Sequence, residues 1–132
     1  DLMIIYLTYI GFYYGRLYSI LFGFAFGIIQ DMLTQVDLLG VIALSKSLVG
    51  FGLGALALYF NVWSVSVRIA FIFLMYSLHF SIFYFFKFNG MELSIWLYFQ
   101  IILIHSILCL FVLIILDKSF LSNGITSKSK NI

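Results

Sequence analysis

The stretch GFAFGIIQDMLTQVDLLGVIALSKSLVGFGLG, residues 23–54, decides the fold, because it contains two apolar runs joined by a short polar loop. Residues four apart lie on one face of an α-helix and form a stripe along it. The two stripes are Gly23, Gly27 and Asp31 in the first run, and Lys46, Gly50 and Gly54 in the second. Small residues let membrane helices approach closely, and a short loop makes consecutive helices antiparallel. The stretch therefore predicts a tightly packed helical hairpin in a membrane.

The composition of the whole chain also assigns it to the membrane. Of its 132 residues, 64% are hydrophobic and only 9% are charged, whereas a soluble domain is about 45–50% apolar and about 25% charged. No soluble fold of this size could bury so much apolar surface. The net charge of +2 is too small and too dispersed to indicate nucleic-acid binding. Helices are expected, because the alternating pattern of a membrane β-barrel is absent.

Charged and turn-forming residues divide the chain into five apolar segments, each predicted to be a transmembrane helix. The predicted spans are residues 2–14, 17–33, 39–60, 65–86 and 93–116. They form a single domain, residues 1–117, followed by a polar tail, residues 118–132, that we expect to be disordered. The first segment covers only about 20 Å, less than the roughly 30 Å of bilayer hydrocarbon. Because the chain begins with Asp1 rather than Met, we expect a missing upstream helix, which would give six spans.

The distribution of charges predicts a cytoplasmic C-terminus. If the five spans alternate and the tail lies inside, most basic residues fall on the cytoplasmic side, as the positive-inside rule requires. These residues are Arg16, Arg68, Lys118, Lys128 and Lys130. The acidic residues that fall outside are Asp1, Asp31, Asp37 and Glu92. The two halves of the test agree, so the Asp31 end of the second segment is predicted to face outward.

The antiparallel hairpin aligns the two stripes in order. The predicted neighbours are Asp31 with Lys46, Gly27 with Gly50, and Gly23 with Gly54. We therefore predict an ion pair between Asp31 and Lys46. Two other interpretations stay open: Lys46 snorkels to the outer headgroups while Asp31 caps the end of its own helix in water, or the two residues belong to a substrate or ion site. Gln30 would either hydrogen-bond across the helices or line a small polar pocket.

The other polar residues of the spans indicate packing rather than chemistry. His79 and His105 lie mid-span in the fourth and fifth segments, where an interhelical hydrogen bond is expected, because the acids lie at span ends. Two histidines are too few for a metal site. Arg16 and Arg68 are predicted interfacial anchors, and Cys109 is predicted to be a small hydrophobe. With no catalytic, cofactor-binding or metal-binding motif in the sequence, we do not expect an enzyme.

Residues 17–54 resemble the MreD family of bacterial rod shape-determining membrane proteins. The matching features are the opening DLMIIYLTYIGFYYG, then Gly23, Gly27, Gln30, Asp31, Leu39, Gly40, Ala43, Leu44 and Gly50. The remaining spans match only in hydropathy. That family has one more N-terminal helix, as expected here. The residues assigned a structural or interaction role are Gly23, Gly27, Gln30, Asp31, Gly40, Lys46, Gly50 and Gly54.

The resemblance implies a non-enzymatic scaffold of the cell-elongation machinery, which lies in the cytoplasmic (inner) membrane and helps organise peptidoglycan synthesis. The implied partners are an MreC-like bitopic protein, the actin-like MreB, and the RodA and penicillin-binding-protein synthases. Self-association as a homodimer is an equal alternative. The family is similar in helix layout to the substrate-binding subunits of energy-coupling-factor transporters. A vitamin-binding transporter subunit is therefore the alternative function, and a small ion or proton channel is a third.

Overall fold

The computed structural model describes residues 1–34, 39–120 and 125, and every regular element within these residues is an α-helix. The helices are α1 (Leu2–Tyr14), α2 (Arg16–Thr34), α3 (Val41–Leu53), α4 (Ala55–Tyr59), α5 (Val65–Lys87) and α6 (Ile95–Phe120). In the described part of the chain, four stretches are long and apolar enough to cross a membrane: Arg16–Thr34, Val41–Tyr59, Val65–Lys87 and Ile95–Ser119. The predicted all-α membrane bundle is confirmed.

The short helix α1 lies inside the bundle rather than at its edge. It contacts α2, α3, α4 and α6, and its side chains Ile4, Leu7 and Thr8 are fully buried. Its 13 residues extend about 20 Å. The first predicted span is therefore a short apolar helix with one face packed against four other helices.

The chain reverses direction between α1 and α2 at Gly15. Gly15 has φ +83° and ψ −171°, a backbone conformation that essentially only glycine adopts. This reversal gives the bundle two ends. The Asp1 end contains the start of α1, the end of α2, the start of α3 and the end of α5. The Gly15 end contains the end of α4 and the start of α5.

The third predicted span, residues 39–60, begins two residues later and contains one interruption. Its two parts, α3 and α4, meet at Gly54, which keeps helical dihedrals (φ −62°, ψ −18°). The Gly54 N–H still donates to the carbonyl oxygen of Gly50 at 2.9 Å. The helix direction therefore continues through Gly54, and α3 with α4 acts as one membrane-length element of 19 residues.

The C-terminal helix α6 packs mainly against α5 and extends further than the predicted span. It runs to Phe120, so Lys118 and Ser119 belong to the helix rather than to a polar tail. Beyond it, Ile125 is fully buried in the hydrophobic core. The other tail residues, and residues 35–38 of the loop before α3, lie outside the described residues.

The glycine stripes of α2 and α3 do face the opposite helix, but the predicted register is wrong by about two helical turns. The observed neighbours are Gly23 with Lys46, Gly27 with Ala43, Gly50 with Ser19, and Gly54 with Arg16. A Cβ atom added at Gly23 would lie 2.6 Å from the carbonyl oxygen of Lys46. Each glycine thus lies against the backbone of a larger residue and not against another glycine. This arrangement gives α2 and α3 the most extensive helix contact in the described structure.

Candidate functional site

A cluster of buried and partly buried polar side chains lies near the Asp1 end of the bundle. Its members come from the N-cap of α1, from α2, from α3 and from α5, and they are Asp1, Gln30, Ser45, Lys46 and His79. Lys46 and His79 are 0% and 1% exposed, and the side chain of Asp1 is 11% exposed. Charged groups inside a membrane bundle are costly and mark functional sites by default. This cluster is therefore the candidate functional site.

Lys46 is the charge at the centre of the cluster. Its Nζ lies 3.1 Å from both carboxylate oxygens of Asp1 and donates to Oε1 of Gln30. Helical side chains lean toward the N-terminus of their own helix. The lysine therefore extends toward the Asp1 end but remains fully buried. The interpretation in which Lys46 snorkels to the headgroups is wrong, and Gln30 makes the expected hydrogen bond across helices.

His79 links the same carboxylate to α3. Its Nε2 lies 3.2 Å from Oδ2 of Asp1, and its Nδ1 lies 2.9 Å from Oγ of Ser45. A carboxylate only accepts hydrogen bonds, so the proton of a neutral imidazole belongs on Nε2. Nδ1 then accepts from the Ser45 hydroxyl. Sequence reasoning missed this bond, because it placed His79 against the fifth segment and the acids out of range.

Asp31 does not pair with Lys46, so that prediction is wrong. Its carboxylate accepts the backbone N–H groups of Gly40 (3.0 Å), Ile42 (3.2 Å) and Ala43 (3.1 Å). Asp31 is only 1% exposed and caps the first turn of the next helix, not its own helix in water. The first N–H groups of a helix lack internal partners and attract a carboxylate. These hydrogen bonds fix the start of α3 beside Asp31 along the helix axis. They therefore determine which residues of α2 and α3 lie opposite each other.

We expect Asp31→Ala to destabilise the bundle by about 2–3 kcal/mol, because it removes a cap and leaves buried N–H groups without acceptors. Asp31→Asn keeps one acceptor oxygen and should cost less. Reversible unfolding by sodium dodecyl sulfate in mixed micelles measures both effects. Glu92→Ala removes an exposed carboxylate and should cost under about 0.5 kcal/mol. Equal losses for Asp31→Ala and Glu92→Ala would contradict the capping role.

Gly40, which the sequence assigns to the same hairpin, is the N-cap residue of α3. Its φ of +100° and ψ of −9° place it in the left-handed region, which favours glycine. Its N–H bonds to Asp31 (3.0 Å), while its carbonyl oxygen accepts from Leu44 (2.9 Å). Gly40 thus turns the chain so that the first amides of α3 point at the carboxylate.

A second group of buried charges lies at the Gly15 end, and sequence reasoning did not find it. Arg68 of α5 donates from Nη1 to the carbonyl oxygen of Ile125 (2.7 Å), and Asp117 of α6 accepts the Ile125 N–H (2.9 Å). Arg68 also lies over the ring of Phe60, 4.1 Å from its centre. Arg68 and Asp117 are each 1% exposed. The prediction that Arg68 is an interfacial anchor is wrong, because it binds a residue beyond α6.

Hydrogen bonds between α5 and α6 match the expectation for one of the two histidines. Nε2 of His105 lies 3.1 Å from the hydroxyl of Tyr84, and the Ser77 hydroxyl donates to Ser106. Cys109 is buried in the core, as expected for a small hydrophobe. In the described part of the chain, no cluster of three or more His, Cys, Asp or Glu side chains is placed to hold a metal ion.

Two adjoining grooves lie on the surface between α2 and α3. Their volumes are about 510 Å³ and about 370 Å³, and they share the lining residues Phe24 and Gly40. The other residues along the larger groove are Ile20, Leu44, Ser47, Leu48 and Phe51. The grooves are apolar apart from Ser47 and the buried Asp31, so lipid or an apolar helix is the chemistry that fits them.

Comparison with protein-family models, with curated proteins and with solved structures finds no match to this chain.

Proposed function

We propose that this chain is a non-enzymatic membrane scaffold of the bacterial cell-elongation machinery, similar in role to the MreD family. In this proposal it lies in the cytoplasmic membrane with its C-terminus inside. It binds an MreC-like bitopic protein and acts with MreB, RodA and a penicillin-binding protein. The resemblance of residues 17–54 supports the partners, and the charge distribution supports the orientation.

One observation supports a scaffold over a ligand-binding role: the buried polar groups of the candidate site are occupied by one another. The Asp31 carboxylate accepts hydrogen bonds from backbone N–H groups at the start of α3. Lys46 donates to Asp1 and Gln30. The outward faces of α2 and α6 are, by contrast, rich in exposed apolar side chains. A helix in lipid binds another helix through shape and small-residue packing. The exposed apolar faces of α2 and α6 are therefore available to a partner helix, while the buried polar groups hydrogen-bond within the chain and stabilise its fold.

The larger groove between α2 and α3 belongs to that apolar surface, and we propose it as the binding position of the partner helix. Leu44 is 63% exposed within it. Ile104 of α6 is 61% exposed and does not line this groove. The two positions are therefore a matched pair for testing which face binds the partner.

The test is co-purification of the tagged chain with an MreC-like protein from mild detergent. We expect Leu44→Trp to reduce the recovered partner about tenfold, since a tryptophan fills the groove and a loss of about 1.4 kcal/mol in binding is tenfold. Ile104→Trp should recover as much partner as the wild type. Equal recovery by both variants would exclude the groove, and no recovery by the wild type would contradict the scaffold role.

The same preparation tests the alternative functions. Mass spectrometry of the purified protein would detect a retained vitamin, which would overturn the scaffold in favour of a transporter subunit. Analytical ultracentrifugation of the preparation without partner would detect a homodimer. We expect neither a vitamin nor a stable dimer from the wild-type chain.

A further inference from the structure

One carboxylate in the bundle is shared by two buried basic side chains. Oδ2 of Asp1 lies 3.1 Å from Nζ of Lys46 and 3.2 Å from Nε2 of His79. These residues belong to the N-cap of α1, to α3 and to α5. The polar contacts of the Asp1 side chain with two neighbouring helices therefore depend on the charge of a single group.

The side-chain charges of Asp1 and Lys46 cancel when the carboxylate is ionised, while Gln30 is uncharged. The other acidic side chain that faces the cluster is Asp31, which acts on Lys46. The Asp31 carboxylate already accepts three backbone N–H groups of α3. The ionisation state of the Asp1 carboxylate therefore determines whether the charge of Lys46 is neutralised.

We propose that Asp1, Lys46 and His79 form a proton-binding site that locks the Asp1 end of α1 while the carboxylate is charged and releases it on protonation. A proton from water adds to one carboxylate oxygen, and no other covalent bond changes. Among the described residues, Lys46 then keeps Oε1 of Gln30 as its uncharged acceptor. A buried ammonium without a counter-ion is strongly unfavourable. Separation of α1 from α3 and α5 lets water reach the ammonium and removes that cost.

The depth of the site fits such a role. Lys46 is five residues from the start of α3, and His79 is eight residues from the end of α5, so they lie about 8 Å and about 12 Å from those helix ends. Water from the Asp1 end needs to enter only this far. This inference does not depend on the scaffold role, because it follows from the contacts of α1 alone.

The experiment compares thermal unfolding of the full chain in detergent at about pH 7 and about pH 3, because a carboxylate paired with an ammonium stays ionised until the pH falls below the ordinary aspartate pKa of about 3.9. We expect the wild type to lose about 5–10 °C in its melting temperature on acidification. Asp1→Asn should melt below the wild type at neutral pH and lose less on acidification, since its amide cannot carry the charge. Glu92→Gln, a control at an exposed carboxylate, should follow the wild type.

A second measurement follows the carboxylate directly. In infrared difference spectra over the same pH range, the wild-type spectrum minus the Asp1→Asn spectrum should contain the carbonyl band of a protonated carboxylic acid, and this band should have the same size when both proteins carry Glu92→Gln. An Asp1→Asn protein with the pH dependence of the wild type would overturn the proposal. So would a difference spectrum without the band, or a band that Glu92→Gln removes.

Discussion

Replacing Gly27 with alanine is expected to destabilise the bundle by about 3 kcal/mol, at the upper end of the cost of overpacking a core. The added Cβ would overlap the backbone of Ala43, with its nearest contact at the Cα atom. Backbone atoms cannot rotate away as a side chain can. The two helices would therefore have to separate along their whole contact, which is the most extensive one between any two helices in the described structure.

Gly52→Ala is the matched control for this prediction. A Cβ at Gly52 would meet Sδ of Met75, the flexible part of an unbranched side chain that adapts to small changes in volume. Both substitutions replace glycine by alanine within a helix, so the gain in helix propensity of about 1 kcal/mol is the same in each. We expect Gly52→Ala to be neutral or slightly stabilising in mixed-micelle unfolding. A loss at Gly52 as large as that at Gly27 would mean that helix contact distance does not limit the stability.

The hairpin at residues 23–54 shows what a sequence pattern can and cannot predict. The apolar runs and the four-residue glycine spacing predicted two antiparallel helices with glycines at their contact, and the structure agrees. The register could not be predicted, because it depends on hydrogen bonds between the Asp31 carboxylate and the backbone of α3. A stripe of side chains carries no information about the backbone groups opposite it.

The candidate site was predictable only in part for a related reason. Lys46 and Gln30 were singled out as costly polar residues inside a membrane helix, and they do contact each other. Asp1 was assigned to the outer surface, since a helix that crosses the bilayer would end there. The helix α1 is too short for that, so its N-cap lies at the level of Lys46 and His79. The short length of α1 therefore determines that the Asp1 carboxylate contacts Lys46 and His79.

The buried cation Arg68 is expected to be the most sensitive charged residue of the bundle, and Arg68→Met should cost about 3–5 kcal/mol, as breaking a buried charge pair does. Its guanidinium holds the carbonyl oxygen of Ile125 at 2.7 Å and interacts electrostatically with Asp117. The substitution removes the donor to Ile125 and the positive charge that acts on the buried Asp117 carboxylate. Mixed-micelle unfolding measures the loss.

Three further variants separate charge from packing. Lys87→Met removes another cation of α5 that lies over aromatic rings, 5.5 Å from the centre of Phe83. Lys87 is exposed, so its loss should cost under about 1 kcal/mol. The double variant Arg68→Met/Asp117→Asn removes the charge of both residues, while the asparagine oxygen can still accept the Ile125 N–H. We expect the double variant to be more stable than Arg68→Met alone by about 1–2 kcal/mol. Asp117→Asn supplies the second single loss of this cycle. If the losses of Arg68→Met and Asp117→Asn simply add in the double variant, the charges of Arg68 and Asp117 are not coupled.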